Sequence, residues 1–192
     1  LLFFSVLYCT AVMDYYAVQV KTGQEAAYIA RIKKIAESDI QKAQVYFPQR
    51  VLHIRKQGVR KTVQAALFPG YIFLETEDLN PALHWFLRRV PGFYRFLPDS
   101  HTPRPLAAED LSILHHFLSF GEVAHPSKAY FDENDRICIV EGPLKGLEGK
   151  IIRVDKRKRR AKIVLDMQQE SFSIDLSFEL IQPTDSVPPE RK

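Results

Sequence analysis

The chain predicts an α+β protein in two parts, an N-terminal α/β sandwich with a mainly antiparallel sheet linked to a small all-β barrel. Three observations carry this. From Tyr15 to Leu118, runs with the two-residue period of strands are interspersed with runs at the helical period, a pattern that suits helices packed on an antiparallel sheet. Beyond residue 132 the pattern is purely β. Within that second part, Asp135 to Asp155 joins two β-patterned runs through a corner with glycines at Gly142, Gly146 and Gly149. The divisions are 13–119 for the sandwich, 120–132 for a linker, 133–184 for the barrel and 185–192 for a disordered tail.

In the sandwich, Tyr15 to Val20 is aromatic and β-branched and reads as a strand. Thr22 and Glu25 have capping-box spacing. Ala26, Ile29, Ile32, Ala36 and Ile40 then recur at the helical period. Val51 to Lys56 and Val59 to Leu67 flank Gln57-Gly58 as a hairpin. Phe68-Pro69-Gly70-Tyr71 suits a type II turn, because proline sets the first central φ and glycine accepts the positive second one. A strand leaves the turn at Tyr71, a helix starts at Asn80-Pro81, and Phe93 to Leu97 is again strand-like. Leu111, Leu114 and Leu118 share one face of a last helix over Ala107 to Leu118.

The linker shows little periodicity and contains Pro126. In the barrel, strands are expected over Ile137 to Val140, Lys150 to Val154, Ala161 to Asp166 and Ser171 to Leu176. The clean alternation from 161 to 176 argues against a second, helical fold for this part. No internal repeat stands out.

Length and composition set limits. The 192 residues carry a net charge of +4, with a pI near 9.0, which permits a polyanionic partner. Cys9 and Cys138 offer neither a disulfide framework nor a thiolate metal site, as suits a reducing, cytoplasmic setting. Leu1 to Val12 is apolar but too short to span a bilayer. It reads as an extension upstream of a natural start at Met13.

Convergent catalytic groups are missing from the sequence. His115 and His116 are neighbours on an expected helix and point about 100° apart, which does not favour one metal in cis. There is no HExxH or GxSxG. Gly142 to Ile151 superficially suggests a phosphate loop, but its spacing is wrong and a strand follows. No enzyme activity, cofactor or metal is expected.

Two features read as binding surfaces. One is the aromatic set Tyr15, Tyr16, Phe68, Tyr71, Trp85, Phe86, Phe93 and Tyr94, part of which must be core. The other is Lys156-Arg157-Lys158-Arg159-Arg160, five consecutive cations at an expected hairpin tip, a compact phosphate-binding projection.

Together, YYAVQVKTGQE, FPGYIFLE, RRVPGFYRFLP and GPLKGLEGKIIRVDKRKRRAKIVL resemble a NusG-type transcription factor, in order and spacing, over Tyr15 to Thr184. The resemblance implies an NGN domain followed by a KOW domain. It implies RNA polymerase binding through an NGN depression that receives the clamp helices of the largest subunit, with Tyr15, Phe68, Tyr71 and Phe93 as contacts. Similarity to the specialised paralogue RfaH implies Lys21, Gln24, Arg31 and Arg88 near the non-template DNA strand. The KOW half departs from the housekeeping pattern at Leu144 and at Met167-Gln168-Gln169-Glu170, which puts binding of Rho or a ribosomal protein in doubt. The tip at Lys156, Arg157, Lys158, Arg159 and Arg160 implies nascent RNA instead, as in LoaP-type antiterminators. The resulting expectation is a monomeric, non-membrane elongation factor that suppresses pausing or termination. A general housekeeping factor, a free-standing RNA-binding or ribosome-associated protein and an unrecognised nuclease are the rival readings.

Overall fold

Alternation along the first strand decides the architecture. The computed structural model describes residues 13–35, 43–56 and 59–182. In β1 (Asp14–Val20), Tyr16, Val18 and Val20 point to one side, while Tyr15 and Ala17 point to the other. Its neighbour β5 (Tyr71–Thr76) repeats the division, with Ile72 and Leu74 on the first side and Tyr71 and Phe73 on the second. With β2 (Gln44–Tyr46) and β6 (Phe93–Phe96), they form an antiparallel sheet in the order β2-β5-β1-β6.

The first face is closed by α1 (Glu25–Ile35) and α2 (Pro81–Arg89). Tyr28 and Ile32 of α1 and Leu83 and Leu87 of α2 fill the core beneath them. Asn80 caps α2, accepting a hydrogen bond from the Leu83 N–H at 2.9 Å. A hairpin of β3 (Gln49–Lys56) and β4 (Val59–Ala66) projects from this domain, paired from Gln49 opposite Ala66 to Lys56 opposite Val59.

The second face is closed differently. Helix α3 (Ala108–Leu118) contributes Leu114 and Phe117, but much of the cover comes from the C-terminal barrel. One continuous apolar cluster runs from Ala17, Phe68, Tyr71 and Phe73 through α3 to Leu144, Ile163, Leu165, Met167, Ile174, Leu176 and Phe178.

The interval 120–132, expected to be a linker, contains two strands. β7 (Val123–Ala124) pairs in parallel with β3, and β8 (Ser127–Phe131) belongs to the barrel sheet. That sheet has the order β10-β11-β12-β8-β9, with β9 (Ile137–Glu141), β10 (Ile151–Asp155), β11 (Arg160–Met167) and β12 (Glu170–Leu180). β8 escapes pattern reading because its buried positions hold small residues, Ser127 and Ala129, rather than large apolar ones.

At the barrel corner, Gly142 has φ +98°, and a Cβ there would lie 2.7 Å from the Ser127 Cα. The fully buried Ser127 hydroxyl accepts from the Leu144 N–H at 2.9 Å, so strand and corner fix each other. The expected extension 1–12 and tail 185–192 lie outside the described residues, as do 36–42, into which α1 was expected to continue.

Candidate protein and nucleic-acid interfaces

The turn at Phe68-Pro69-Gly70-Tyr71 forms as its residues dictate, with Gly70 at φ +84° and the Tyr71 N–H donating to the Phe68 carbonyl at 3.1 Å. Glu25 holds it in place. Its buried carboxylate accepts the Gly70 N–H at 2.7 Å, across 45 residues of sequence. The spacing from Thr22 suggests a capping box, and no local signal points to this distant partner. Glu25→Ala would leave the Gly70 donor unpaired in the interior. It is expected to lower unfolding free energy by about 1–3 kcal/mol, measured by denaturant titration.

Tyr15, Phe68 and Tyr71 all lie on the barrel-facing side of the sheet. Phe68 is 0% exposed and meets Phe73, Phe117 and Phe172 edge-on at centroid distances of 5.5, 6.1 and 5.3 Å. Tyr71 meets the same Phe172 at 5.1 Å. Tyr15 sits near α3, edge-on to His115 at 5.1 Å, and shares the Glu75 carboxylate with Tyr46. Burial and that carboxylate raise both phenols, Tyr46 to about 12.

Phe93 does not join them. It packs on the opposite, helix-covered core. The reason is a register shift: Gln19 lies opposite Arg95 and Val20 opposite Phe93, so the pairing skips Tyr94 and turns Phe93 to the side of Phe96.

The barrel covers the aromatic face with the start of β12. Phe172 inserts between Phe68 and Tyr71, and the Tyr71 hydroxyl donates to Glu170. Glu170 also takes Arg95 Nη2 at 2.7 Å. Burial and the Glu170 carboxylate push the Tyr71 phenol up to about 12. Around this centre the Gln168 N–H donates to Asp110 at 3.1 Å and His116 Nε2 donates to the Pro143 carbonyl at 2.8 Å. The Met167 to Glu170 turn therefore docks on the N-terminal domain, with Met167 and Leu144 both buried. Glu170, Phe172 and Arg95 were not legible as site residues, because each fits its own strand and meets its partner only across domains.

Lys21, Gln24 and Arg31 gather at the other end of the sheet, around the Pro91-Gly92 turn. The Lys21 N–H donates to the Gly92 carbonyl and Arg31 Nη1 donates to that of Pro91, both at 2.8 Å. The Gln24 N–H donates to the Lys21 carbonyl at 2.9 Å. Arg88 stands apart on α2, its guanidinium 5.0 Å over the exposed Trp85 ring.

The cationic run turns the chain between β10 and β11. Lys156, Arg157, Lys158 and Arg159 are all exposed, and Lys156 pairs with Asp135 and lies 4.2 Å over the Phe131 ring. Arg160 is already in β11, and its Nη2 donates to the His53 carbonyl at 2.6 Å. The tip thus leans against the β3–β4 hairpin. Among the described residues, no group of three or more His, Cys, Asp or Glu side chains could hold a metal, and no helix is long and apolar enough to cross a membrane.

Residues 13–115 match the family model described as "Transcription termination factor nusG". The chain belongs to the NusG family. Members of that family are transcription factors, not enzymes. A NusG termination/antitermination protein of Helicobacter pylori J99 is 23% identical over 174 residues, covering 88% of this chain and 98% of its own. The NusG termination/antitermination protein of Thermus thermophilus is 26% identical over 176 residues, covering 86% and 96%. A solved structure described as "Domain interaction in Thermotoga maritima NusG" matches 86% of this chain and 94% of its own, with a TM-score of 0.52 at 20% identity, a likeness of fold. The NusG match includes β1 to β6 and most of α3.

Proposed function

We propose that this NusG-family protein is an elongation factor that binds RNA polymerase through the aromatic face of its N-terminal domain and suppresses pausing or termination. The observation that carries the reading is that face itself. Phe68, Tyr71 and Tyr15 are gathered on one sheet surface beside α3, and the part of their cover that the barrel supplies centres on the Phe172 ring and the polar bonds of Tyr71 and Arg95 to Glu170. A pair of clamp helices has the chemistry to replace Phe172, offering apolar side chains to an aromatic-rich depression. Lys21, Gln24, Arg31 and Arg88, at the far end of the domain, would then lie nearest the non-template strand.

A face covered at rest favours recruitment on a signal, hence a specialised antiterminator over a general factor. Leu144 and Met167 are turned inward, which keeps Rho and ribosomal protein out of the proposal. Genome-wide occupancy distinguishes the two roles: a few long operons for the specialised factor, most transcribed genes for the general one. The docking surface is tested by polymerase pull-down. Tyr15→Ala combined with Tyr71→Ala is expected to reduce recovery at least roughly tenfold, the scale of a central aromatic anchor; undiminished recovery removes this face from the docking model.

The exposed cations of the tip bind nascent RNA in the same reading. Neutralising Arg157, Lys158 and Arg159 together is expected to weaken RNA binding and to flatten the slope of log affinity against log salt by about 2. Titration at several salt concentrations measures both.

A further inference from the structure

Between the β3–β4 hairpin and the β10–β11 turn lies a cleft of about 750 Å³ with walls from both domains. The N-terminal wall contributes His53 and Lys61, and the barrel contributes Arg157, Lys158, Arg159 and Arg160. Among the described residues Glu179 is the carboxylate that lines it, and Lys158 also has Asp155 at 3.7 Å. The remaining cations leave the cleft strongly positive.

A second observation comes from the arginines at the domain contact. Arg160 Nε is buried without a hydrogen-bond partner, and so are Nε and Nη1 of Arg50 on β3. Burial, together with the nearby Arg160 charge, lowers the Arg50 pKa, against the pull of Asp175. Buried guanidinium donors without acceptors are costly. Arg160 lines the cleft and Arg50 lies near enough to feel its charge, so an anion with several oxygens at this wall would offset the positive charge that both guanidinia bury.

We propose that this interdomain cleft binds the phosphodiester backbone of single-stranded nucleic acid in the docked arrangement, so that one strand touches both domains and holds the barrel against the aromatic face. The proposal rests on the reading of the cationic tip as an RNA-binding element and extends it to the N-terminal wall. Coupling follows by linkage: a strand that favours the docked arrangement opposes polymerase docking, and polymerase opposes the strand by the same factor.

The test uses the full chain and labelled homopolymers of roughly 12 nucleotides, one oligo-U and one oligo-dT, with anisotropy read over a salt series. A donor–acceptor dye pair on the two domains reports their separation. Lys61→Glu leaves the tip intact. It is expected to weaken binding about fivefold or more and to flatten the salt slope by about 0.7 for the lost phosphate contact. Phe172→Asp, which undocks the barrel, is expected to weaken binding comparably, and strand binding to that variant is expected to restore part of the lost energy transfer between the dyes. Equal binding of the two homopolymers assigns recognition to the shared backbone, whereas a preference identifies RNA or DNA as the source. If Lys61→Glu has no effect while charge reversal at Arg157 and Lys158 abolishes binding, the strand sits on the tip alone and the cleft is overturned. Absence of binding at low salt overturns both the cleft and the RNA reading of the tip.

Discussion

Phe68→Ala is expected to lower the unfolding free energy by about 3–5 kcal/mol, among the largest effects of any single truncation in this chain. The ring has no exposed surface and is held edge-on by Phe73, Phe117 and Phe172. Removing it therefore opens a cavity where the sheet, α3 and the barrel meet. The neighbouring turn cannot collapse into the space, because Glu25 pins Gly70. Chemical denaturation measures the loss, and a change below about 1 kcal/mol would mean that the ring is not so enclosed. A corollary concerns polymerase binding: Phe68→Ala confounds docking with folding, which makes Tyr15 and Tyr71 the cleaner probes.

The second large effect belongs to Phe172→Asp. Phe172 is only partly buried and stands in a strand whose ladder to β11 does not depend on its ring, so the barrel is expected to remain folded. The contact with the N-terminal domain should not survive. The substitution removes the apolar burial against Phe68 and Tyr71 and places a carboxylate beside Glu170. Together these shift the docked–undocked balance by about 3 kcal/mol, on the order of 100-fold toward the undocked form. Interdomain energy transfer should fall, and polymerase affinity should rise as the aromatic face is uncovered. If the domains separate and polymerase affinity stays unchanged, the covered face is not the docking surface.

What could be read from the sequence follows from the range over which each signal acts. Alternation in β1, the Pro-Gly turn at Gly70, the Asn80 cap and the α3 stripe through Leu111, Leu114 and Leu118 are local, and the structure contains all of them. The same holds for the barrel strands β9 to β12, although β8 was hidden because Ser127 and Ala129 fill its buried positions. Phe93 marks a different limit. Its motif neighbours suggest the aromatic depression, but a single skipped residue, Tyr94, in the pairing of β6 with β1 sends the side chain to the other core. Glu25 and Glu170 mark the longest range. Each is an ordinary surface-type residue by pattern, and each finds its partner 45 and 99 residues away.

The short strand β7 sets how far the barrel can travel. It is tied to β3 through Gln49 opposite Val123 and Arg50 opposite Ala124, with the Gln49 N–H also donating to the Glu122 carbonyl at 2.8 Å. Only His125 and Pro126 separate it from β8. With β7 in place, the tether from Ala124 to Ser127 reaches about 10 Å, enough for the barrel to tilt off the aromatic face but not to leave its neighbourhood. Peeling β7 away extends the free chain from Ser119 to Ser127 and its reach to about 27 Å. A released barrel on so short a tether stays at millimolar effective concentration over its own docking face. Any partner that holds the protein open must outcompete that concentration, and on the partner's departure the barrel needs no diffusional search to return.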